Sequence, residues 1–235
     1  MKIENSVAVV TGGNRGLGRH FVTQLIARGA TVYAAARRPE TVDVPGAVPL
    51  RLDVTRPETV AEAARIAAGA TLLINNAGIS THTSLLDGDL DQIRLEMETH
   101  YFGTLGVTRA FAPVIAANGG GAILNVLSVL SWWHPPVFGA YSTAKAASWA
   151  LTNVLRQELA PKGIEVASLH VGYMDTDMAA SVPAEEKLDP GIVAAAALDG
   201  IAAGQPEIIA DEISRQAKQS LSGPVTPPAW ALASD

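Results

Sequence analysis

A tyrosine and a lysine in this chain have the spacing needed for proton-transfer chemistry. Tyr141 and Lys145 are four residues apart in the stretch YSTAK, which places both side chains on one face of a helix. A cation beside a phenol favours the phenolate and lowers the phenol pKa, so that Tyr141 becomes a usable acid or base near neutral pH. Ser128 lies thirteen positions earlier, where its hydroxyl can donate to a substrate oxygen as charge develops there. Taken alone, the pair is also typical of a surface helix, and a serine at a strand end is typical of a turn cap.

A glycine-rich loop near the N-terminus is the second chemical feature. The stretch TGGNRGLG at positions 11–18 lies between an apolar strand-like run and a helical pattern. Glycine lets the backbone turn sharply, and the N-terminus of the following helix offers free N–H groups and a positive dipole end to a pyrophosphate. An ordinary tight turn is the alternative, but the position after the first strand favours a dinucleotide site. The predicted cofactor contacts in this loop are Gly12, Asn14, Arg15, Gly16, Leu17 and Gly18.

Arginine stands where a NAD-binding site would carry an acidic residue. A carboxylate at the end of the second strand binds the ribose 2′-hydroxyl of NAD, whereas this strand ends in Ala36 and is followed by Arg37. Arg37 and Arg15 can pair with a 2′-phosphate, because the guanidinium is planar and permanently charged. We therefore expect NADP(H) to be favoured over NAD(H). The alternative is that both arginines are solvated loop charges.

Two further strand ends carry residues suited to the same edge of a sheet. Asp53 and Val54 end the third predicted strand, and Asn76, Ala77 and Gly78 follow the fourth. Doubly wound folds bind ligands outside the carboxyl ends of their strands, so all five residues are predicted cofactor contacts. Alternatively, Asp53 caps a helix and the NNAG stretch is a plain turn.

Apolar runs alternate with helical patterns along the whole chain. This alternation predicts βαβ units, a parallel sheet with helices on both faces, and one α/β domain over residues 1–235. The predicted strands cover residues 6–11, 31–36, 47–54, 71–75, 122–128, 165–170 and 207–210. Helices are predicted over 16–28, 89–118 and 141–160, with another beginning near Pro57.

Composition excludes several classes of protein. The net charge is −6 and there is no long basic run, whereas nucleic-acid binding needs clustered Lys and Arg. Cysteine is absent, which excludes disulfides, thiol catalysis and thiolate metal sites, and no metal site is predicted. No apolar stretch has the length of a membrane span, and the N-terminus lacks the features of a signal peptide. We expect a soluble cytoplasmic protein without a nucleic-acid or membrane partner.

Together these motifs resemble those of the short-chain dehydrogenase/reductase family in order and approximate spacing. The resemblance covers about residues 5–178 and implies a Rossmann-type doubly wound sheet of seven strands in the order 3-2-1-4-5-6-7. It implies that Tyr141 protonates the carbonyl oxygen during reduction and that Ser128 orients and polarises that oxygen. Lys145 is implied to bind the nicotinamide ribose and to hold down the pKa of Tyr141. Gly172 and Thr176 are implied cofactor contacts, as are Tyr141 and Lys145.

Two residues depart from the family pattern. His100 replaces an asparagine that in the family helps to anchor a water leading to the lysine. Histidine can donate and accept, so His100 either holds such a water or relays a proton itself, or it satisfies local backbone groups while the relay is weakened. Val171 precedes Gly172 where the family has proline, which restores a backbone N–H and loosens φ in this loop.

Aromatic residues between Ser128 and Tyr141 predict the wall of a substrate pocket. The segment 129–139 is rich in large rings, which suggests an apolar or ring-bearing substrate, although a tryptophan here could instead pack the loop or a subunit contact. A substrate flap is expected over about 173–190 and a loosely ordered tail over about 222–235. The predicted pocket residues are Trp132, Trp133, His134, Phe138 and Met174.

The combined prediction is an NADP(H)-dependent oxidoreductase that transfers a hydride between nicotinamide and the carbonyl or secondary alcohol of a small molecule. The alternative is an NADP(H)-binding sensor with little turnover, which His100 and Val171 keep open. From the family, the long helices with Ala-rich and Leu-rich faces are expected to pair across a two-fold axis in a homodimer or homotetramer.

Overall fold

A computed structural model describes residues 1–223 of the chain. Of the tail predicted at 222–235, all but the first two residues lie outside the described part. Among residues 1–223, no helix is both long enough and apolar enough to cross a membrane.

Seven parallel strands form one sheet in the order β3-β2-β1-β4-β5-β6-β7, which confirms the predicted topology. The strands are β1 Val7–Thr11, β2 Thr31–Ala36, β3 Val48–Arg51, β4 Leu72–Asn75, β5 Gly121–Val126, β6 Ile164–His170 and β7 Glu207–Ile209. The helices are α1 Gly16–Ala27, α2 Pro57–Ile66, α3 Leu90–Met97, α4 Thr104–Ala117, α5 Gly139–Leu159, α6 Pro190–Ala202 and α7 Glu212–Ser220.

Both faces of the sheet are covered, which explains the continuous apolar runs of the central strands. In β1, Ala8 and Val10 contact one core, and Val9 between them contacts the other. The first core includes buried side chains of α1 and α6, such as Phe21 and Leu198, and the second includes α2, α4 and α5. Full burial of one such large side chain contributes about 1.5–3 kcal/mol.

The helix predicted over 89–118 is interrupted in the structure. It consists of α3, a π-helical segment Glu98–Gly103, and α4. The π-helical segment packs closely on the residues after β3: a Cβ built on Gly103 would lie only 2.9 Å from Val54 Cγ2. In this segment the carbonyl of His100 accepts a hydrogen bond from Ser148 Oγ at 3.0 Å. Side-chain periodicity carries little sign of such a local change in helix type.

Helices α6 and α7 were not predicted from the sequence. Helix α6 packs beside α1 in the first core and has few polar residues, so its apolar residues show no helical period. Its start is nevertheless marked, since Asp189 Oδ1 accepts the N–H of Gly191 at 2.6 Å and Pro190 begins the helix. Strand β3 is also shorter than the predicted 47–54, with β-structure only at Val48–Arg51.

Candidate active site

The structure brings Ser128, Tyr141 and Lys145 together beyond the carboxyl end of β5. Tyr141 and Lys145 lie one turn apart on α5, and Lys145 Nζ is 5.5 Å from the centroid of the Tyr141 ring. The Lys145 ammonium is buried and donates to the carbonyl of Val126 at 2.8 Å. Ser128 Oγ accepts the N–H of Leu130 at 3.1 Å, so this serine caps a short turn as well as facing Tyr141.

Burial sets the protonation states of this pair. Burial of the Tyr141 phenol and the charge of Glu96 raise the pKa of Tyr141, while a side-chain hydrogen bond with Ser128 acts in the opposite direction. Burial lowers the pKa of Lys145 to about 8, and Glu96 opposes that change. The implied lowering of the Tyr141 pKa by Lys145 is therefore not found in this structure. Tyr141 is protonated at neutral pH, which is the state that a proton donor requires.

His100 lies beside Tyr141 and is almost completely buried. The two rings meet edge to face, with centroids 5.1 Å apart and an interplanar angle of 81°. His100 Nε2 lies 2.9 Å from the carbonyl oxygen of Ile79 and 3.1 Å from Glu96 Oε2. Burial and the charge of Lys145 lower the pKa of His100, and the contacts with Glu96 and Ile79 raise it. His100 thus lies against Tyr141 and also contacts the backbone of Ile79, so its catalytic role stays a prediction.

Glu96 is the ionisable residue at the site that sequence reasoning missed. Its side chain is completely buried, and its Oε1 accepts the N–H of Thr81 at 2.6 Å. Its position four residues before His100, on the same helical face, was the signal available in the sequence.

A buried polar network supports the backbone of this site from the sheet. Asn75 Nδ2 donates to Asn125 Oδ1 at 2.9 Å, and Asn125 Nδ2 donates to Thr152 Oγ1 at 2.9 Å. Thr152 Oγ1 donates to the carbonyl of Ser148 at 2.7 Å, and Ser148 in turn donates to the carbonyl of His100 at 3.0 Å. This series of hydrogen bonds connects β4 and β5 to the π-helical segment through α5.

The glycine loop has the properties that a pyrophosphate site requires. Gly12 and Gly16 have φ values of +66° and +50°, in the left-handed region that favours glycine. Gly18 faces the loop, because a Cβ there would clash with the Gly12 carbonyl and lie 2.6 Å from Asn76 Nδ2. No side chain caps the N-terminus of α1, and its first turn carries no acidic residue. The first-turn N–H groups are therefore free to bind a phosphate anion, and the residues present fit a nicotinamide dinucleotide.

The predicted ribose-side residues surround the carboxyl ends of β2 and β3. Arg37 is exposed and has no ion-pair partner among residues 1–223. Arg15 instead forms an exposed ion pair with Asp177, with Nη1 3.1 Å from Oδ2. Asn14 donates to Thr41 Oγ1 at 2.9 Å. Exposed ion pairs contribute little energy, so Arg15 remains free to exchange partners.

Asp53 and the NNAG stretch lie at the carboxyl edge of the sheet, where both also make structural contacts. Asp53 Oδ1 accepts the N–H and hydroxyl of Thr55 at 3.0 and 2.7 Å, so this carboxylate closes a turn ahead of α2. It does not cap the helix, because the N-cap is Arg56, whose side chain makes no capping hydrogen bond. Asn76 Nδ2 donates to the carbonyl of Thr11 at 2.9 Å and thereby fixes the start of the glycine loop. A Cβ on Gly78 would lie 2.8 Å from His100 Cε1, which explains glycine at this position.

Comparison with known proteins identifies the family to which this site belongs. The family model described as short chain dehydrogenase matches residues 6–187. The chain belongs to the short-chain dehydrogenase/reductase family. It is therefore an oxidoreductase that uses a nicotinamide cofactor and acts on CH–OH groups.

Individual relatives agree with this assignment. The chain is 31% identical over 226 residues to a 3α-hydroxysteroid dehydrogenase from Mediterraneibacter gnavus, covering 90% of this chain and 89% of the relative. It is 40% identical, with a TM-score of 0.91, to the crystal structure of a short chain dehydrogenase from Burkholderia cenocepacia in complex with NADP, covering 97% of this chain and 100% of that chain. A 23% identical dehydrogenase/reductase from Burkholderia phymatum in complex with NAD, with a TM-score of 0.84 and coverage of 97% and 99%, shows the shared fold alone.

The loop after β6, where this family member has valine instead of proline, is held by Asp211, the N-cap residue of α7. Asp211 Oδ2 accepts the N–H of Gly172 at 2.5 Å, while its Oδ1 accepts the N–H of Ser214 and caps α7. Val171 is buried in the first core. Thr176 lies against the glycine loop, because a Cβ on Gly16 would be 3.3 Å from Thr176 Cγ2. Asp211 was not predicted, because α7 was not.

The aromatic residues after Ser128 divide into buried and more accessible groups. Trp132 is buried and stacks on His170, with ring centroids 3.7 Å apart and planes at 12°, so the packing alternative applies to it. His170 Nδ1 lies 3.3 Å from the carbonyl of Ser128, and burial lowers the pKa of His170 to about 3. Phe138 contacts His82 at 5.0 Å between centroids. Trp133, Phe138 and Met174 are half-buried and His134 is exposed.

The region predicted as a substrate flap follows this loop. Over 173–190 it contains short 3₁₀ turns at Asp177–Ala179 and Ala184–Glu186. Its two ends meet, with the Leu188 N–H donating to the Tyr173 carbonyl at 2.9 Å. Within residues 1–223, no group of three His, Asp or Glu side chains is arranged to hold a metal ion.

Proposed function

We propose that this family member reduces a carbonyl group, or oxidises the corresponding secondary alcohol, with Ser128, Tyr141 and Lys145 as its catalytic residues. The observation that carries the proposal is the meeting of these three side chains beside the glycine loop at the carboxyl edge of the sheet. In reduction, the Tyr141 hydroxyl donates its proton to the carbonyl oxygen, and Ser128 donates a hydrogen bond to the same oxygen. Tyr141 is protonated near neutral pH, as proton donation requires, although the burial that raises its pKa also makes the phenol a weaker acid.

The chain's own residues provide the place for the cofactor. A bound nicotinamide dinucleotide supplies or accepts the hydride. The glycine loop and the first turn of α1 hold its pyrophosphate, and Asp53, Val54 and Asn76–Gly78 line the remainder of the edge. Lys145 would bind the nicotinamide ribose, since its ammonium has two N–H donors beyond the one that meets the Val126 carbonyl. Gly172 and Thr176 complete the contacts.

NADP(H) is the preferred cofactor in this proposal. The support comes from Arg37, which is exposed and unpaired within the described residues, and from Arg15, whose surface ion pair is weak. The relative from Burkholderia cenocepacia was crystallised with NADP. A guanidinium pairs with a 2′-phosphate in a bidentate manner that the 2′-hydroxyl of NAD does not offer.

An apolar, ring-bearing substrate fits the pocket side of the site. Trp133 and Phe138 are half-buried and pack with Tyr141 against one apolar cluster, whereas Met174 packs against the first core. The 3α-hydroxysteroid dehydrogenase relative is named for a substrate of the ring-bearing class. The segment 173–190 acts as the flap over this substrate. The homodimer or homotetramer expected from the family stays a prediction, as does the cytoplasmic location.

Substitution of Tyr141 by phenylalanine tests the proposal. We expect Tyr141→Phe to lower kcat with a panel of ring-bearing ketones by about 1,000-fold or more, because the proton donor is lost while the packing remains. NADPH should still quench tryptophan fluorescence in the variant, with a Kd close to that of the wild type, and NADH should bind more weakly to both.

Tyr33→Phe on β2 is the matched control and should leave turnover unchanged. Wild-type protein that binds NADPH but turns over no ketone or alcohol of the panel would favour the sensor alternative instead. Failure of both cofactors to bind in either redox state would contradict the proposal as a whole.

A further inference from the structure

A completely buried carboxylate lies next to the proposed catalytic residues, and the roles assigned above give it no task. Glu96 is on the last turn of α3, and its side chain has 0% exposure. Burying a carboxylate costs several kcal/mol unless it is paired or hydrogen-bonded. A buried carboxylate next to the proposed catalytic residues therefore suggests a role in their chemistry. Glu96 contacts two parts of the site: the loop after β4, through the N–H of Thr81, and the imidazole of His100.

The hydrogen-bond partners of His100 define its tautomer. Two acceptors lie near Nε2, namely the Ile79 carbonyl oxygen at 2.9 Å and Glu96 Oε2 at 3.1 Å. The Ile79 N–H is farther away, at 3.4 Å. The shorter contact, with the Ile79 carbonyl oxygen, requires the proton on Nε2, and Nδ1 of the neutral ring is then the unprotonated nitrogen. The Ile79 carbonyl therefore sets the tautomer, while Glu96 Oε2 lies against the same nitrogen as a charge that has no hydrogen-bond partner among residues 1–223.

We propose that Glu96 is a positioning residue for the reaction, whose buried carboxylate holds the imidazole of His100 against Tyr141 and places a negative charge behind the Tyr141–Lys145 pair. The proposal rests on the proposed function of that pair. Glu96 touches neither reacting atoms nor the cofactor loop, so it acts through His100 and through its charge. It adds a member to the site from a helix that carries none of the other proposed catalytic residues.

The surroundings of Glu96 limit which groups its charge affects. The titratable groups that face it are His100 from the π-helical segment and Tyr141 and Lys145 from α5. The loop after β4 presents the backbone of Ile79 and Thr81, while His82 of that loop packs on Phe138. The negative charge favours the ammonium form of Lys145 and the protonated form of Tyr141, and both forms are needed when Tyr141 donates a proton.

Glu96→Gln removes the charge and keeps an oxygen that can accept from Thr81. The first measurement follows the ¹³Cε resonance of Lys145 against pH in cofactor-free protein, assigned by its absence in Lys145→Arg. Wild-type Lys145 should titrate near its pKa of about 8. In Glu96→Gln the midpoint should fall to a lower pH, because the charge that favours the ammonium is gone.

The second measurement is the pH profile of ketone reduction. The alkaline limb should move to lower pH in Glu96→Gln, so that kcat at pH 9 falls by about tenfold relative to wild type while kcat at pH 6.5 changes little. Glu98→Gln is the matched control, because Glu98 is exposed two residues farther along the same chain segment. It should leave both the Lys145 midpoint and the profile unchanged.

The wild-type protein provides a test that needs no variant. Two-bond ¹⁵N–¹H correlations should show His100 as the Nε2–H tautomer across the neutral pH range. An Nδ1–H tautomer would remove the contact with Glu96 and overturn the proposal, as would an unchanged Lys145 midpoint in a folded Glu96→Gln protein. Because the NMR measurements need no turnover, they test Glu96 even in a protein that reduces none of the ketones.

Discussion

The two halves of the candidate active site are built in different ways. The cofactor half uses backbone: glycines with positive φ, the uncapped start of α1, and exposed arginines that no buried partner fixes. The proton-transfer half uses ionisable side chains placed close together: Glu96 on α3, His100 on the π-helical segment, and Tyr141 and Lys145 on α5. All but the half-buried Tyr141 are buried.

The cofactor half therefore depends mainly on the shape of the backbone, and the proton-transfer half depends mainly on charge. In the cofactor half the glycines must leave room for the cofactor and for neighbouring backbone, so one added methyl group can block the site. Most changes of charge there alter only the affinity for the cofactor. In the proton-transfer half each charge depends on its neighbours, so an isosteric substitution can change the pH dependence without changing the packing. Three substitutions test this separation, beginning with the largest expected effect.

Gly18→Ala is expected to destroy the cofactor half. A Cβ at Gly18 would clash with the Gly12 carbonyl and approach Asn76 Nδ2 to 2.6 Å, and neither group can move without displacing the loop. We expect a loss of about 3 kcal/mol in stability and no measurable NADPH binding, by urea unfolding and calorimetry. Gly106→Ala in α4 is the control, because nothing lies within 4 Å of its Cβ; it should be neutral or stabilising. Equal effects of the two substitutions would show that the close approach at Gly18 is not limiting.

The same separation explains what the sequence could and could not predict. The glycine loop is encoded locally in a short motif, and the strand order, which the resemblance of such motifs to the family implies, is confirmed. Glu96 lies in the polar-looking stretch LEMETH, and only the return of the loop after β4 across α3 buries it. Asp211 acts on Gly172 from 39 positions away, a contact that no local pattern reports.

Arg37→Asp should change cofactor choice while leaving the fold intact. Arg37 is exposed and unpaired among residues 1–223, so the cost falls on the 2′-phosphate contact alone. Loss of charge-assisted hydrogen bonds should weaken NADPH binding by about 10- to 100-fold and NADH binding little. Arg109→Asp, an exposed arginine on α4, is the charge-matched control and should affect neither cofactor. A parallel loss of NADPH and NADH affinity in Arg37→Asp would mean that Arg37 does not distinguish them.

Lys145→Met tests whether the proton-transfer half keeps its charges at the expense of stability. The folded protein lowers the pKa of Lys145 from 10.5 to about 8, so the unfolded chain binds its proton more strongly. At pH 7 the buried ammonium therefore disfavours folding of the wild type by about 3 kcal/mol. The variant removes this cost but also loses the hydrogen bond to the Val126 carbonyl, which contributes about 2 kcal/mol. Lys145→Met should therefore be inactive yet about 1 kcal/mol more stable than wild type at pH 7.

The pH dependence identifies the cause of that gain. Between pH 8 and 10.5 the wild type gains stability as Lys145 loses its proton in the folded state, whereas the variant lacks this contribution. The advantage of Lys145→Met should consequently be greatest below pH 8 and should vanish or reverse by pH 10. Lys162→Met, at an exposed lysine, should show no such pH-dependent difference from wild type. A constant difference between Lys145→Met and wild type would assign the effect to packing and not to the buried charge, and the contrast between the two halves would then fail.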